Sequence, residues 1–168
     1  MDNDREKLSQ DIKKLRELIE DVKVAMLTTV DSQGNMRSRP MQTQEAEFDG
    51  NLWFFTDDSS PKAEEILRDR HVNVTYSNPN RQIYVSVTGK ASLLRDRTKM
   101  AALWNPIYKA WFPQGLEDPN ICLLRVEVDS AEFWDSSQSA IVHAVGFTKA
   151  VLTGKQYQPG DNAKIELR

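Results

Sequence analysis

The chain contains a single cysteine, Cys122, in 168 residues. An intrachain disulfide is therefore impossible, which points to a reducing compartment. Histidine is almost as scarce. His71 and His143 lie far apart with no companion at ligand spacing, so no metal centre is expected. No apolar run is long enough to cross a bilayer, and Met1 to Glu20 is too polar for a signal peptide. Basic residues are not in excess. The 22 Lys and Arg against 25 Asp and Glu leave a net charge of −3, whereas a nucleic-acid partner calls for a basic footprint. A glycine-rich dinucleotide fingerprint is missing, which excludes a Rossmann site. Internal repeats and low-complexity tracts are missing too. These absences predict a soluble, cytoplasmic, one-domain protein. They do not exclude a phosphate ligand, because screening acts over about 8 Å and a local pocket decides such binding.

What is present is a run of short elements. Leu8, Ile12, Leu15 and Ile19 recur at spacings of three and four, which predicts an amphipathic helix over Asp2 to Glu20. Val24 to Val30 reads as a strand, Asp31 to Asn35 as a turn, and Met36 to Glu47 as a second extended segment. Phe48-Asp49-Gly50-Asn51 carries a hairpin signal ahead of the aromatic strand Leu52 to Thr56. Ser60 suits an N-cap and Pro61 a first helical position, with Ala63, Ile66 and Leu67 as that helix's apolar face. Glu64 and Glu65 read as its solvated face. Strands follow at Val72 to Tyr76 and at Ile83 to Leu94, where Gly89 marks a bulge or bend. Asp96 to Trp111 is helical but interrupted by Pro106. Strands at Ile121 to Val128 and Gly146 to Thr153 complete the set, and the chain from Gln158 reads as a loose tail. Many strands joined by tight turns, with few gaps able to hold a crossover helix, favour an antiparallel barrel over a doubly wound sheet.

Two segments carry chemistry. Thr56 ends an aromatic strand, and a short loop leads from it to Ser60-Pro61-Lys62 at a helix start. A helix N-terminus offers unpaired N–H groups, and the hydroxyls and Lys62 add donors and charge, a combination suited to phosphate. Asp57 and Asp58 oppose that use unless they point away. In Arg37-Ser38-Arg39-Pro40-Met41-Gln42, alternation puts Arg37, Arg39 and Met41 on one face of a strand. Two arginines there call for an anion or for solvent, and Pro40 places the strand at an edge or bulge. Cys122, inside the apolar run Ile121 to Leu124, reads as a small buried hydrophobe.

The order Met26 to Val30, Gly34, Ser38-Arg39-Pro40-Met41, Phe54-Phe55-Thr56, Ser60 and Lys62 resembles the FMN-binding split barrels of the pyridoxamine 5′-phosphate oxidase-like family. Tyr84 to Ala91, Leu103-Trp104, Lys109 to Gly115, Asp118-Pro119 and Ala131 to Trp134 resemble its general stress protein 26 branch. The resemblance runs from about Leu15 to Gly154. It implies a mainly β, α+β fold: an antiparallel split β-barrel with short peripheral helices, assembled as a homodimer with flavin at the subunit interface. The barrel would span residues 23–155, with an N-terminal helix over 1–22 and a tail over 156–168. It implies FMN as cofactor. Arg39, Pro40, Met41 and Gln42 would line the flavin, with Arg39 on phosphate or ribityl oxygens and backbone near Met41 at the polar edge of the ring. Phe55 and Thr56 would form the second contact strand, and Ser60 and Lys62 the phosphate corner. Tyr84 stands where the family places a polar side chain near the flavin. Trp104 and Trp111 would come from the partner subunit and cover the ring.

The function so implied is an FMN-dependent oxidoreductase with a stress-related role and reduced nicotinamide as donor, and no catalytic side chain stands out. Other readings are a flavin-binding or flavin-sequestering stress protein without turnover, a split barrel holding a deazaflavin, haem or pyridoxal phosphate, and a barrel with an empty site. Pyridoxamine 5′-phosphate oxidase activity itself is not expected, because that enzyme's C-terminal tryptophan-to-arginine segment is not found.

Overall fold

The computed structural model describes residues 2–44, 48–137 and 161–167, together with Lys149, Val151 and Thr153. A single antiparallel sheet dominates. Its strands are β1 (Val24–Val30), β2 (Met36–Gln42), β3 (Asn51–Asp57), β4 (His71–Asn78), β5 (Ile83–Leu94), β6 (Ile121–Asp135) and β7 (Asp161–Glu166). The ladder runs β2-β1-β4-β5-β6-β3, with β7 also on β6. β6 is long enough to serve two neighbours on one side: Ile121 to Glu127 pair with β3, and Ser130 to Asp135 pair with β7. The ladder's ends, β2 and β3, approach each other without sharing a ladder. The sheet thus curls into a barrel with an open seam.

Alternation explains the inside. Along β5, Ile83, Val85, Val87 and Ala91 point into a core that also takes Leu27, Val74, Phe54 and Val126. α1 (Asp2–Ile19) adds Leu15, Leu18 and Ile19 to that core. A second cluster lies on the other face of β3 and β6. There α3 (Arg97–Leu103) and the 3₁₀ turns Pro106–Ala110 and Gly115–Glu117 pack Met100, Tyr108 and Trp104 onto Phe55 and Leu123. β3 is therefore covered on both sides, which accounts for its unbroken aromatic run.

Gly89 sits at a bulge. The register against β6 shifts between Thr88 and Gly89, leaving Asp129 as the extra residue. A Cβ on Gly89 would stand 2.3 Å from the carbonyl oxygen of Glu127, so the strands meet there only because no side chain intervenes.

Several expectations are corrected. The turn at Gly50, φ 101°, joins no hairpin, because β2 and β3 lie at opposite ends of the ladder. Leu67 is 74% exposed, outside the apolar face of α2 (Pro61–Arg68), while Glu65 is buried. β6 continues past Val128 to Asp135. Lys149, Val151 and Thr153 are helical rather than extended; the rest of the strand expected at Gly146 to Thr153 lies outside the described residues. The expected tail carries β7, whose Ile165 enters the core. Among the described residues no helix is long and apolar enough to cross a membrane.

Candidate functional site

A cavity of about 400 Å³ opens at the barrel seam. Pro40, Met41 and Gln42 of β2 form one wall; Phe55, Thr56 and Asp57 of β3 form the other. Lys62 of α2 closes one end, and Tyr108, Trp111 and Phe112 border it from the 3₁₀ region. Its volume lies in the usual range for small-molecule sites.

The strand register tells which backbone groups face this space. Thr43 donates its N–H to the Lys23 carbonyl at 2.9 Å. Bonded pairs in an antiparallel ladder recur at every second residue, so Met41 and Arg39 bond across to β1. Pro40 and Gln42 then turn their backbone groups the other way, off the ladder. Pro40 costs no ladder bond there, because its missing N–H would not have been used.

Lys62 has an unusual setting. It is half-buried and makes no hydrogen bond or ion pair among the described residues. Burial, and then the neighbouring charge of Arg39, holds its ammonium below the usual lysine value against the pull of Asp57, Cys122 and Glu65. It also sits in the first turn of α2, where the helix dipole disfavours a cation. Nearby, Thr56 is 1% exposed and its Oγ1 has no hydrogen-bond partner.

Arg39 is differently engaged. Its Nη2 donates to Glu65 Oε2 at 2.8 Å, and its Nη1 donates to the Thr29 hydroxyl. That hydroxyl donates in turn to the same carboxylate oxygen. Burial pushes the Glu65 carboxyl up, but the bonds from Thr29 and Arg39 and the arginine charges outweigh it, holding it below the usual carboxylate range. This closed ring joins β1, β2 and α2. Arg39 therefore stands beside the cavity as a fixed charge rather than on its lining, and Glu65 is no solvated residue. Sequence reasoning missed Glu65. The available signal was Arg39 itself, an inward-facing arginine in need of a carboxylate.

The other expected residues divide. Ser60 occupies the N-cap position of α2, but its hydroxyl donates to the Asp57 carbonyl at 2.6 Å and caps nothing. Asp57 borders the cavity, and its carboxylate is held by the Ser59 hydroxyl and backbone N–H, which lower its pKa. Asp58 is turned away onto Arg95. Trp111, 61% exposed, borders the cavity of its own chain. Trp104 does not line it but packs under it, against Phe55 at 5.5 Å and Tyr108 at 5.7 Å. Tyr84, 43% exposed, lies on the outer sheet face opposite Trp134, away from this cavity. Gln44, unnoticed in the sequence, also borders the cavity, and its Nε2 is buried without an acceptor among the described residues. Arg37 pairs loosely with Asp31 at 3.9 Å.

Elsewhere, the Cys122 thiol is buried and pushed up to about 11 by burial, which leaves it unreactive. His71 pairs with Asp69, and His143 lies outside the described residues. Among the described residues no His, Cys, Asp and Glu cluster could hold a metal.

Residues 10–158 match the family described as pyridoxamine 5′-phosphate oxidase like. The chain belongs to that family. It is 32% identical to Protein bli-3 of Neurospora crassa, over 88% of this chain and 76% of that one. A crystal structure of the general stress FMN/FAD binding protein from Xanthomonas citri matches with TM-score 0.67 at 27% identity, covering 79% of this chain and 92% of the other. A structure described as general stress protein 26 from Jannaschia sp. CCS1 gives TM-score 0.73 at 24% identity, covering 95% and 98%, and shares the fold. The mostly antiparallel sheet with its helices is thus the split barrel of the oxidase-like family, and the general stress protein 26 group supplies its near neighbours.

Proposed function

We propose that the chain binds FMN in the seam cavity and works as a flavin-dependent oxidoreductase. The observation that carries this reading is Lys62. A half-buried ammonium with no ion pair among the described residues, pressed by Arg39 and set against a helix dipole, is favoured only by the more distant pull of Asp57, Cys122 and Glu65, and an anion would complete the site. The buried Thr56 hydroxyl beside it lacks a partner, as a phosphate ligand would require. The residues present fit the cofactor. Lys62 and Thr56 would hold the phosphate with Arg39 as a fixed positive neighbour. Backbone groups of Pro40 and Gln42, with Met41 and Phe55, would hold the ring. The Xanthomonas citri neighbour, named for FMN/FAD binding, supports the choice of flavin.

Bound flavin would supply two-electron redox chemistry, and the chain would orient it and limit water at its faces. Reduced nicotinamide is the proposed donor. A homodimer belongs to the same proposal. Val24 and Met26 on β1, and Tyr84 and Trp134 on β5 and β6, leave apolar side chains exposed on the outer sheet face, and Val24 also borders the cavity. A second copy seated there would reach the flavin, and only in this way would Tyr84 approach one.

The test is an FMN titration of the purified protein, followed by flavin quenching and calorimetry. Saturation at one FMN per subunit supports the reading, and steady-state NADH or NADPH oxidation then tests turnover. No binding at roughly tens of micromolar overturns it.

A further inference from the structure

Besides Thr56, a second residue on the cavity lining carries a buried polar atom with no partner among the described residues. Gln44 lies two residues beyond β2, and its Oε1 accepts a hydrogen bond from the Tyr108 hydroxyl at 3.1 Å. The amide nitrogen, Nε2, is buried and has no acceptor among the described residues. A buried donor in that state bears the full cost of its desolvation. In this orientation the Tyr108 hydroxyl is the donor and the amide oxygen the acceptor, which leaves the N–H side of the amide for another partner. Tyr108 is itself fixed: it is buried, with its ring 5.3 Å from Phe55 and 5.7 Å from Trp104. With Tyr108 donating, Gln44 offers its amide N–H as the unused donor, set on a rigid aromatic cluster.

Its place along the cavity matters. Lys62 stands by Arg39. Extended chain advances about 3.3 Å per residue, so Gln44 lies on the order of 15 Å along from Arg39. One end of the site thus offers a cation and a hydroxyl. The other offers a neutral N–H beside Tyr108, Trp111 and Phe112. A ligand matching both ends carries an anion on one side and a flat ring bearing carbonyl groups on the other.

We infer that Gln44, oriented by Tyr108, reads the flavin ring: its Nε2 donates to a carbonyl on the pyrimidine edge. Gln44 is then a binding residue and Tyr108 its positioning residue. The inference rests on the FMN reading above and assigns the ring end of that site. Such a donor strengthens binding of any flavin with that ring, whatever its side chain. It also favours the form of the ring with more negative charge at that edge, and so raises the reduction potential of the bound flavin.

The test uses the full chain, titrated separately with FMN and with riboflavin, and the midpoint potential of the bound flavin. Gln44→Glu keeps an acceptor for Tyr108 but presents oxygen where the donor stood. It is expected to weaken FMN and riboflavin by the same factor, roughly three- to tenfold or more, and to make the potential more negative. Gln44→Met, uncharged and of similar length, should do the same and covers the case in which the buried glutamate unfolds the protein. Tyr108→Phe should act in the same direction more weakly. Lys62→Ala, by contrast, should weaken FMN and spare riboflavin. Wild-type binding of both flavins with Gln44→Glu and Gln44→Met unchanged in affinity and potential would overturn this inference alone. So would a loss confined to FMN, which would put Gln44 at the phosphate. A wild type that binds neither flavin overturns the flavin reading, and this one with it.

Discussion

At the scale of the residue, Lys62 and Arg39 divide one task between them. Both are cations on the same side of the barrel seam, yet only Arg39 has its own carboxylate. Lys62 is therefore the charge proposed to meet the ligand. Lys62→Ala removes a charge-assisted contact, which should cost on the order of 1.5–3 kcal/mol of FMN binding, or roughly ten- to a hundredfold in dissociation constant. Fluorescence titration checks this. The sign with pH follows from the lowered pKa. A phosphate needs the protonated amine, so FMN affinity should fall as pH rises through the lowered Lys62 value, which lies below the ordinary lysine range. Riboflavin affinity should not follow. Equal pH profiles for the two flavins would take Lys62 out of the site. Lys62 and Thr56 were legible in the sequence as donors at a helix start and Met41 from strand alternation, whereas Pro40 and Gln42 were expected only through the family resemblance. Ser60 stands at the expected N-cap position, but its hydroxyl donates backwards to the Asp57 carbonyl, as a serine there can do as readily as cap.

At the scale of the element, the ring of Thr29, Arg39 and Glu65 fastens α2 to the first two strands. Removing the carboxylate with Glu65→Ala strands a partly buried guanidinium. The cost should be about 2–3 kcal/mol in urea denaturation, below the roughly 3–5 kcal/mol of a wholly buried pair. Because the Glu65 pKa is lowered on folding, its contribution is present above the usual carboxylate range and is lost as pH falls through its folded value. The β5–β6 crossing offers a second test. Gly89→Ala forces a methyl into the Glu127 carbonyl and against Val126. It should destabilise the fold by about 2–4 kcal/mol, measured in the same way. Strands were legible where burial alternates cleanly, as in β5 from Ile83 to Leu94. β6 was cut short at Val128 because the bulge at Asp129 switches the inward residues from Val126 and Val128 to Ala131 and Phe133. β7 gave almost no signal: Ile165 is its only buried residue, and its pairing partner is some thirty residues earlier in the chain.

At the scale of the molecule, exposed Val24 and Met26 of β1 and Tyr84 and Trp134 of β5 and β6 share the outer face of the sheet. Sedimentation at micromolar concentration should show a dimer, and Trp134→Arg should shift it towards monomer and weaken FMN at the same time. A wild-type monomer that still binds FMN at full affinity would separate assembly from the site. The dimer was expected only through the family resemblance, since apolar residues on an outer sheet face read the same in sequence whether they meet water or a partner.

Pro40 has one more consequence. A strand at the end of a ladder is a template on which a stray extended chain can grow, and β2 is such a strand. Its outward backbone groups belong to Met36, Ser38, Pro40 and Gln42, and at Pro40 there is no hydrogen to offer. An invading chain would find a gap in the bonding pattern where the cavity opens. The residue that leaves room for a ligand thus also guards the barrel against polymerising through its own seam.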